Sequence, residues 1–421
     1  MEKRTASFVF EQERGKLQRS FSVMIKTAGP VCNLDCDYCY YLEKDALYPG
    51  KKFNLSSFRM NEEVLEKLIR DYIASQPQEK IEFVWHGGEP TLLGVDYFRK
   101  ALALQKKYAG GKEILNSFQT NGTLITDEWA EFLAENNFLC GLSIDGPQKF
   151  HDSHRRFPNG QGSWEKVVEC ARIFCKHGVE FNTMSVVNAS NSKEPAAVYE
   201  FLKSIGSRFM QFTPIAERIA LDPSEALSIV DNRYDKATAV MQENVNAADW
   251  GNFLCRIFDI WVKNDVGTCY VNYFDNTLAA YIGQQPSLCS MAPNCGCSLA
   301  VEHNGDVYNC DHFVFEEYKL GNIFEKNIAE MAKSDQQLFF EQRKQDTLSR
   351  QCRQCPFVKA CGGDCPKNRF VKNQEDEYVS CLCEGFRMFF NHTRKHFEFM
   401  ANELKNQRPP ANVMKVKKLK E

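Results

Sequence analysis

The sequence lacks any uninterrupted apolar run of about eighteen residues, the length at which a membrane-spanning helix becomes a candidate. It also lacks an excess of charge of either sign, since 52 Lys and Arg residues stand against 55 Asp and Glu residues, for a net charge of -3. We therefore expect neither a membrane nor a nucleic acid as partner. The N-terminus has no apolar core followed by a small-residue cleavage site, so we expect the protein in the cytoplasm.

Cysteine is the residue present in unusual number, with 18 in 421 residues. Disulfides are rare in the reducing cytoplasm, where grouped cysteines more often bind metal or carry out chemistry. Isolated cysteines fit the behaviour of small buried hydrophobic residues. These are Cys140, Cys170, Cys175, Cys255 and Cys269. The remaining cysteines fall in three groups and need another explanation.

Short apolar runs alternate with amphipathic helical patterns through the first half of the chain. Six such runs occur, at 21–27, 81–85, 114–119, 139–144, 180–187 and 208–213. Repeated strand–helix units predict a parallel sheet with helices outside, either open or closed into a partial barrel. We expect these segments: a polar lead-in at 1–20, an α/β barrel at 21–230, a helical connection at 231–284, a cysteine-rich domain at 285–385, and a helix with a basic tail at 386–421.

Polar motifs follow the ends of successive predicted strands. The first strand leads to a cysteine group, and the next three lead to motifs that read His86-Gly87-Gly88-Glu89-Pro90, Gln119-Thr120-Asn121-Gly122 and Ser143-Ile144-Asp145-Gly146-Pro147. Parallel α/β folds bind ligands at the carboxyl ends of their strands. Each motif alone is also typical of an ordinary turn, but four in phase predict one shared site.

The first cysteine group has the spacing CxxxCxxC, written CNLDCDYC, with Cys32, Cys36 and Cys39. Three neighbouring thiolates can hold three irons of a cubane cluster and leave the fourth iron open. Zinc is the competing metal, because short spacings between cysteines suit it too. A structural zinc site usually takes four protein ligands, and no histidine follows at a suitable distance.

CxxxCxxC with the aromatic Tyr38 before the last cysteine resembles the signature of the radical S-adenosylmethionine (SAM) superfamily. The GGEP motif after the second strand is similar to the motif that contacts the SAM amino group in that family. The resemblance implies a partial (β/α)6 barrel and a 4Fe–4S cluster whose open iron binds SAM. Reduction by the cluster would then give a 5′-deoxyadenosyl radical that abstracts a hydrogen atom.

The same resemblance implies roles for individual SAM-site residues. It places Tyr38 near the adenine, Gly87, Gly88 and Glu89 at the methionyl end, Ser143 and Arg155 at the carboxylate, and the backbone near Ala216 beside the adenine. Arginine suits a carboxylate because its planar fork binds it bidentately, although the adjacent Arg156 is an alternative. Gln119 and Asn121 are weaker candidates for ribose or substrate contacts.

The segment CRQCPFVKACGGDC and the cysteines around it resemble the SPASM extension, which carries two auxiliary 4Fe–4S clusters with four thiolates each. The resemblance assigns Cys289, Cys295, Cys310 and Cys365 to cluster I, and Cys352, Cys355, Cys361 and Cys383 to cluster II. Cys297 and Cys381 are then spare, and each lies two residues from an assigned ligand, so a swap stays open. A zinc ribbon is the alternative for this region.

Within the SPASM group, residues from about 20 to about 400 most resemble anaerobic sulfatase-maturating enzymes, by the spacing of the auxiliary cysteines and by Asp311 directly after Cys310. The resemblance implies oxidation of a Cys or Ser of a sulfatase to Cα-formylglycine by hydrogen abstraction from Cβ, with Asp311 as the base. Asn304-Gly305-Asp306 predicts a hairpin turn that presents Cys310 and Asp311 together. Asp311 as a mere hydrogen-bonding carboxylate stays open, as does Tyr41 as a substrate-positioning or simply packed residue.

The implied partners are a sulfatase polypeptide and an external electron donor such as flavodoxin or ferredoxin. One alternative is another SPASM enzyme that forms a thioether or a crosslink in a peptide. Such enzymes often carry an N-terminal peptide-recognition domain, and too few residues precede the first strand for one. A second alternative is a zinc-stapled binding protein without catalysis.

Overall fold

The computed structural model describes residues 19–222, 227–231, 234 and 236–416. Most of the predicted polar lead-in and the last lysines of the basic tail, from Lys417 onward, lie outside these residues. The strands are β1 Ser22–Lys26, β2 Lys80–His86, β3 Glu113–Thr120, β4 Leu139–Ser143, β5 Phe181–Val187, β6 Phe209–Pro214, β7 Arg218–Ala220, β8 Ile229–Val230, β9 Thr238–Val240, β10 Tyr270–Val271, β11 Ser298–Val301, β12 Asp306–Tyr308, β13 Lys319–Asn322, β14 Val371–Lys372 and β15 Tyr378–Val379.

The α-helices of the described residues are numbered separately from the short 3₁₀ turns. They are α1 Leu55–Phe58, α2 Glu62–Ser75, α3 Val95–Tyr108, α4 Asp127–Glu135, α5 Gln148–His154, α6 Trp164–His177, α7 Pro195–Ser204, α8 Ala247–Asn264, α9 Asn272–Tyr281, α10 Ile328–Ala332, α11 Asp335–Asp346, α12 Arg350–Arg353, α13 Val358–Cys361 and α14 Cys383–Lys405. None of these helices is long and apolar enough to cross a membrane.

Strands β1 to β6 lie side by side in chain order and pair in parallel. All six predicted runs coincide with these strands to within a few residues, so the expected parallel sheet is confirmed. Helices follow the strands and bury one face against the sheet. In α2, buried residues recur three and four apart, which is the spacing of one helix face: Val64, Leu65, Leu68, Ile69, Tyr72 and Ile73.

The cysteine-rich segment extends this sheet at its other edge. Strand β11 pairs in parallel with β1, with Ser22 opposite Ser298, and β12 and β13 continue antiparallel. The predicted hairpin joins β11 to β12, and Gly305 sits in it with a φ of +88°, a conformation that favours glycine. Because β1 and the hairpin are neighbours, the residues after β12 lie close to the carboxyl end of β1.

The connection predicted as helical at 231–284 begins instead with strand structure. Strands β7, β8 and β9 form a small antiparallel sheet, and the first helix of this segment among the described residues starts at Ala247. Short runs rich in β-branched residues, such as Ile229–Val230, gain stability from pairing across strands, which a local pattern does not reveal. The chain after α14 packs back on this helix, where Arg408 and Asn412 both donate to the Glu403 carboxylate.

Helices α8 and α14 cross at two glycines. A Cβ on Gly251 would lie 2.8 Å from the Gly385 carbonyl oxygen and 3.0 Å from the Met388 sulfur. The close approach leaves no room for a methyl group between the two backbones.

We expect Gly251→Ala to lower the melting temperature of the protein. Alanine gains about 1 kcal/mol of helix propensity over glycine, but forcing a methyl into a packed contact costs about 1–3 kcal/mol, so the net change is destabilising. Thermal unfolding followed by circular dichroism measures it. Arg256→Ala, on the exposed face of the same helix, is the control and should leave the melting temperature nearly unchanged. A more stable Gly251→Ala protein would contradict the tight crossing.

Candidate functional site

The first cysteine group lies in the loop directly after β1. Its three cysteines are partly buried free thiols. Cys32 Sγ accepts hydrogen bonds from Leu34 N at 3.3 Å and from Asn121 Nδ2 at 3.6 Å. Burial raises the pKa of Cys32 to about 12, and burial likewise raises the pKa of Cys36 and of Cys39.

The donor chemistry of this group fits an iron–sulfur cluster. Repulsion from Cys39 adds to the raised pKa of both Cys32 and Cys36, so the three thiols are near neighbours. Metal binding requires deprotonated thiols. Iron would therefore replace the three thiol protons, and its positive charge would remove the repulsion between the thiolates. Cys32, Cys36 and Cys39 therefore suit the role predicted for them.

A buried ion pair stands at the carboxyl end of β4. Arg155 Nε lies 3.0 Å from Asp145 Oδ2 and Arg155 Nη2 lies 3.2 Å from Asp145 Oδ1, while the Tyr38 hydroxyl donates to the same carboxylate. Burial alone would raise the pKa of Asp145, but Arg155 outweighs it and the pKa is lowered. Arg156 points away, because its side chain is 44% exposed and lies 3.6 Å from Asp37.

Asp145 takes Nε and Nη2 of Arg155, so Nη1 is the part of the guanidinium left for the SAM carboxylate that the sequence assigned to it. Arg155 and Asp145 supply one charge of each sign beside Tyr38 and Cys36. The sequence motif contained Asp145, but its partnership with Arg155 was missed because helix α5 lies between them and returns Arg155 to the carboxylate.

Glu89 ties the ends of β2 and β3 together. Its carboxylate accepts hydrogen bonds from Thr91 N, Thr91 Oγ1, Thr120 Oγ1 and Asn121 N at 3.0, 2.6, 2.8 and 2.7 Å. Gly88 has a φ of +46°, and a Cβ there would lie 2.0 Å from the Val31 carbonyl oxygen. The Gly-Gly-Glu turn is thus pressed against the loop that carries the cysteines.

The other predicted cofactor residues lie at the same end of the sheet. Gln119 Nε2 donates to Ser143 Oγ at 2.9 Å, and Asn121 reaches the Cys32 thiol. Ala216 follows β6, and its carbonyl oxygen accepts a hydrogen bond from Lys367 Nζ at 3.3 Å. The convergence of the strand-end motifs is therefore confirmed, while the contact assigned to each residue stays a prediction.

Lys26, the last residue of β1, is fully buried and joins three elements of the site. Its ammonium forms an ion pair with Asp311 and lies 3.2 Å from His86 Nδ1. It also lies 4.3 Å from the centroid of the Tyr41 ring. A buried charge needs such partners, because an unpaired one costs several kcal/mol. The lysine therefore fixes the position of Asp311 relative to the barrel.

Asp311 has a second partner, the Tyr40 hydroxyl, which donates to its other oxygen. Burial alone would raise the pKa of Asp311, but Lys26 outweighs it and holds the pKa well below the ordinary value. Tyr41 does not touch Asp311 through its hydroxyl, which donates to Glu302 at 2.6 Å. The sequence analysis gave no role to Tyr40, although it assigned roles to the nearby Tyr38 and Tyr41.

A cavity lies beside Asp311, bordered by Tyr40 and by residues of four other segments. Lys44, Glu217, Ile229, His312, Phe315 and Lys367 are among the residues that line it. Lys367 Nζ lies 2.5 Å from Glu217 Oε1, and Lys44 Nζ lies 3.5 Å from the centroid of the Phe315 ring. The cavity combines charged and apolar walls and is built jointly by the barrel and the cysteine-rich segment.

The downstream cysteines divide into two sets by their electrostatic neighbours. Cys310 is repelled by Cys289 and Cys365, and Cys365 by Cys289 and Cys295. A second set is formed by Cys352, Cys355, Cys361 and Cys383. Each set contains the four thiols predicted for one auxiliary cluster.

The two spare cysteines lie outside both sets. Burial and then Glu341 raise the pKa of Cys297, and its Sγ lies 3.8 Å from the Ala332 carbonyl oxygen. Burial and then Asp364 raise the pKa of Cys381. No other cysteine is among the main causes of either shift. The ligand sets, and the swaps that the spacing left open, stay predictions.

Two family models match the chain. The radical SAM superfamily matches residues 27–202, and the iron–sulfur cluster-binding SPASM domain matches residues 289–356. The fold and site thus define a radical SAM enzyme with an auxiliary-cluster extension.

Relatives narrow the class. The chain is 47% identical over 397 residues to the serine-type anaerobic sulfatase-maturating enzyme of Bacteroides thetaiotaomicron, covering 94% of this chain and 95% of that one. It is 32% identical over 390 residues to the cysteine-type enzyme of Clostridium novyi, covering 92% and 98%. A solved structure, native anSMEcpe with bound AdoMet and Cp18Cys peptide, superposes with a TM-score of 0.77 at 30% identity, covering 91% and 99%.

The chain belongs to the family of anaerobic sulfatase-maturating enzymes. The predicted resemblance, the partial-barrel α/β fold class and the enzyme class are confirmed. The cofactors are accordingly three 4Fe–4S clusters and SAM. Membership removes the alternative of a zinc-stapled protein without catalysis.

We expect anaerobically purified protein to contain about twelve irons per chain, four for each cluster. Replacing Cys32, Cys36 and Cys39 together by alanine should leave about eight irons, because only the first cluster loses its ligands. Iron and acid-labile sulfide analysis measures both. Cys297→Ser and Cys381→Ser are matched controls that should keep the full iron content. Loss of about four irons in either control would overturn the ligand sets.

Proposed function

We propose that the enzyme oxidises a Cys or Ser side chain of a sulfatase polypeptide to Cα-formylglycine without oxygen. The observation that carries the proposal is the placement of Asp311, which follows Cys310 directly and stands beside a cavity, fixed by Lys26 and Tyr40. The relatives named above are sulfatase-maturating enzymes of the serine and cysteine types. The solved structure of one such enzyme holds AdoMet and a peptide together.

The proposal also assigns the residues that would hold the cofactors. Cys32, Cys36 and Cys39 hold the first cluster, and Tyr38, Ser143 and Arg155 bind SAM together with the Gly87-Gly88-Glu89 turn and the backbone at Ala216. When bound, the clusters and SAM supply hydrogen-atom abstraction at Cβ and acceptance of one electron. A residue of the protein must accept the proton of the target hydroxyl or thiol.

Asp311 takes that proton. The target side chain loses one hydrogen atom from Cβ, one proton from its hydroxyl or thiol, and one electron. These losses together convert a CH₂–OH group into an aldehyde, or a CH₂–SH group into a thioaldehyde. Water converts the thioaldehyde into the aldehyde with release of hydrogen sulfide. Asp311 suits the task because it is ionised, and because Lys26 and Tyr40 fix its two oxygens in position.

The target peptide binds where the barrel and the cysteine-rich segment meet beside Asp311. The cavity there has a volume of only about 10 Å³, so its lining side chains must move apart to admit the peptide. Lys44, Lys367 and Glu217 offer donors and an acceptor for peptide backbone groups, while Ile229 and Phe315 pack against side chains. Tyr41 helps to position this site, because its ring contacts Lys26 and its hydroxyl donates to Glu302. Gln119 and Asn121 stand nearer to the first cysteine group and serve the ribose or the substrate.

An external reductant is also part of the proposal. A flavodoxin or ferredoxin supplies the electron that starts each cycle. We propose a cytoplasmic location, where low-potential carriers are present and the cysteines stay reduced.

Anaerobic incubation with SAM, a reductant and a peptide carrying a sulfatase motif tests the function. We expect a loss of about two mass units from a Ser peptide, or about eighteen from a Cys peptide, since each product is the aldehyde. Mass spectrometry measures both. Unchanged peptide masses with protein that retains all three clusters and cleaves SAM would contradict the proposal.

Asp311→Asn should lower the rate of aldehyde formation at least about a hundredfold, in line with the contribution of a positioned base. Formation of 5′-deoxyadenosine should continue, because hydrogen abstraction precedes proton loss. Liquid chromatography of the nucleoside and mass spectrometry of the peptide measure the two products in one sample. Glu317→Gln, an exposed acid on the following turn, is the control and should behave as wild type. An Asp311→Asn enzyme with the normal rate would remove Asp311 as the base.

A further inference from the structure

His86 ends β2 directly opposite Lys26, which ends β1, in the register Lys26 to His86. Two groups approach the same nitrogen of its ring. Gly87 N lies 2.6 Å from His86 Nδ1, and Lys26 Nζ lies 3.2 Å from it.

These contacts determine where the imidazole proton is. A backbone N–H can only donate, and so can an ammonium group. Nδ1 must therefore be the acceptor, and the proton of the neutral ring lies on Nε2. Burial, followed by Lys26, lowers the pKa of His86 to about 3, which agrees with a neutral ring.

The Nε2–H group of His86 has no hydrogen-bond partner among the described residues, and the side chain is only partly buried. The ring is held firmly all the same. Gly87 has a φ of +87°, and a Cβ there would lie 2.4 Å from the Lys26 side chain, so the backbone after the ring packs directly against the lysine. A fixed ring with one unused donor is an arrangement suited to binding a ligand atom.

The link of this ring to Asp311 through Lys26 is the ground on which we assign the atom. Lys26 contacts both His86 and Asp311, so the imidazole and the carboxylate flank one ammonium. We propose that His86 Nε2–H donates a hydrogen bond to the hydroxyl oxygen of a target serine while Asp311 accepts the proton of that hydroxyl. This role rests on the proposed function and makes His86 a residue that favours serine over cysteine.

The chemical reason is the difference between oxygen and sulfur. As the proton leaves for Asp311, negative charge grows on the target atom, and a hydrogen bond to a charged oxygen strengthens in the process. Sulfur is a weak acceptor, so a thiol target gains less from the same donor. His86 then lowers the barrier for a Ser substrate more than for a Cys substrate.

Two amide variants separate this role from a structural one. His86→Gln can place an N–H donor where Nε2 lies, whereas His86→Asn can keep an acceptor for Gly87 N and Lys26 where Nδ1 lies. We expect His86→Asn to lower kcat on a Ser peptide by about tenfold or more, and on the matched Cys peptide by clearly less. His86→Gln should recover much of the Ser rate. A purely structural histidine predicts the reverse order of the two variants.

The measurements are kcat and KM for the Ser and Cys forms of one peptide, with iron content checked in each variant. An unchanged ratio of Ser to Cys rates in His86→Asn would overturn the proposal, as would a faster Asn than Gln variant. A wild-type enzyme that converts neither peptide would instead refute the proposed function. A crystal structure of wild-type enzyme with SAM and the Ser peptide gives an independent test. A His86 Nε2 to Ser oxygen distance beyond hydrogen-bond range would overturn the role even if both variants lost their clusters.

Discussion

The buried ammonium of Lys26 is the interaction on which the arrangement of this site depends. A lysine with no exposed surface is tolerated only where partners replace its hydration. Its ion-pair partner, Asp311, comes from a segment more than two hundred residues away, which arrives because β11 pairs with β1. The pairing of two parallel strands thus brings a carboxylate of the auxiliary-cluster region to the mouth of the barrel. Without it, the two halves of the chain would form separate sites.

Buried cationic side chains also lie beside the cysteine groups. Arg155 opposes the rise in the pKa of Cys36, and Lys344 opposes it at Cys289 and Cys295. Lys344 is itself fully buried and donates to the Cys289 and Ser290 carbonyl oxygens at 2.6 and 2.8 Å. Burial still dominates, so the free thiols stay protonated more strongly than in water. The fold therefore holds the cysteines in groups that metal ligation relieves, which explains why so many thiols are retained without disulfides.

The sequence predicted the strands and the strand-end motifs because both are local patterns. Short apolar runs between helical patterns predict strands, and glycines such as Gly88 and Gly305 predict turns from their local sequence alone. The partners of charged residues were not predictable in this way. Asp145 lay in a recognised motif, yet nothing local showed that it would bind Arg155, and Lys26 read as the end of an apolar strand. The first contact depends on how α5 folds back, and the second on the register of β1 with β2 and β11, and a single sequence displays neither.

In the proposed reaction Asp311 acts as a base although Lys26 depresses its pKa, and this combination limits how that reaction can proceed. A carboxylate held as an ion pair is a weak proton acceptor, so it cannot remove a proton from an ordinary serine hydroxyl. Proton loss must wait until hydrogen abstraction has made the hydroxyl far more acidic. The ion pair thereby enforces an order, since Asp311 stays ionised and ready but is ineffective on the unreacted side chain. A donor such as His86 Nε2–H acts in the same direction, because it stabilises the oxygen only as its charge develops.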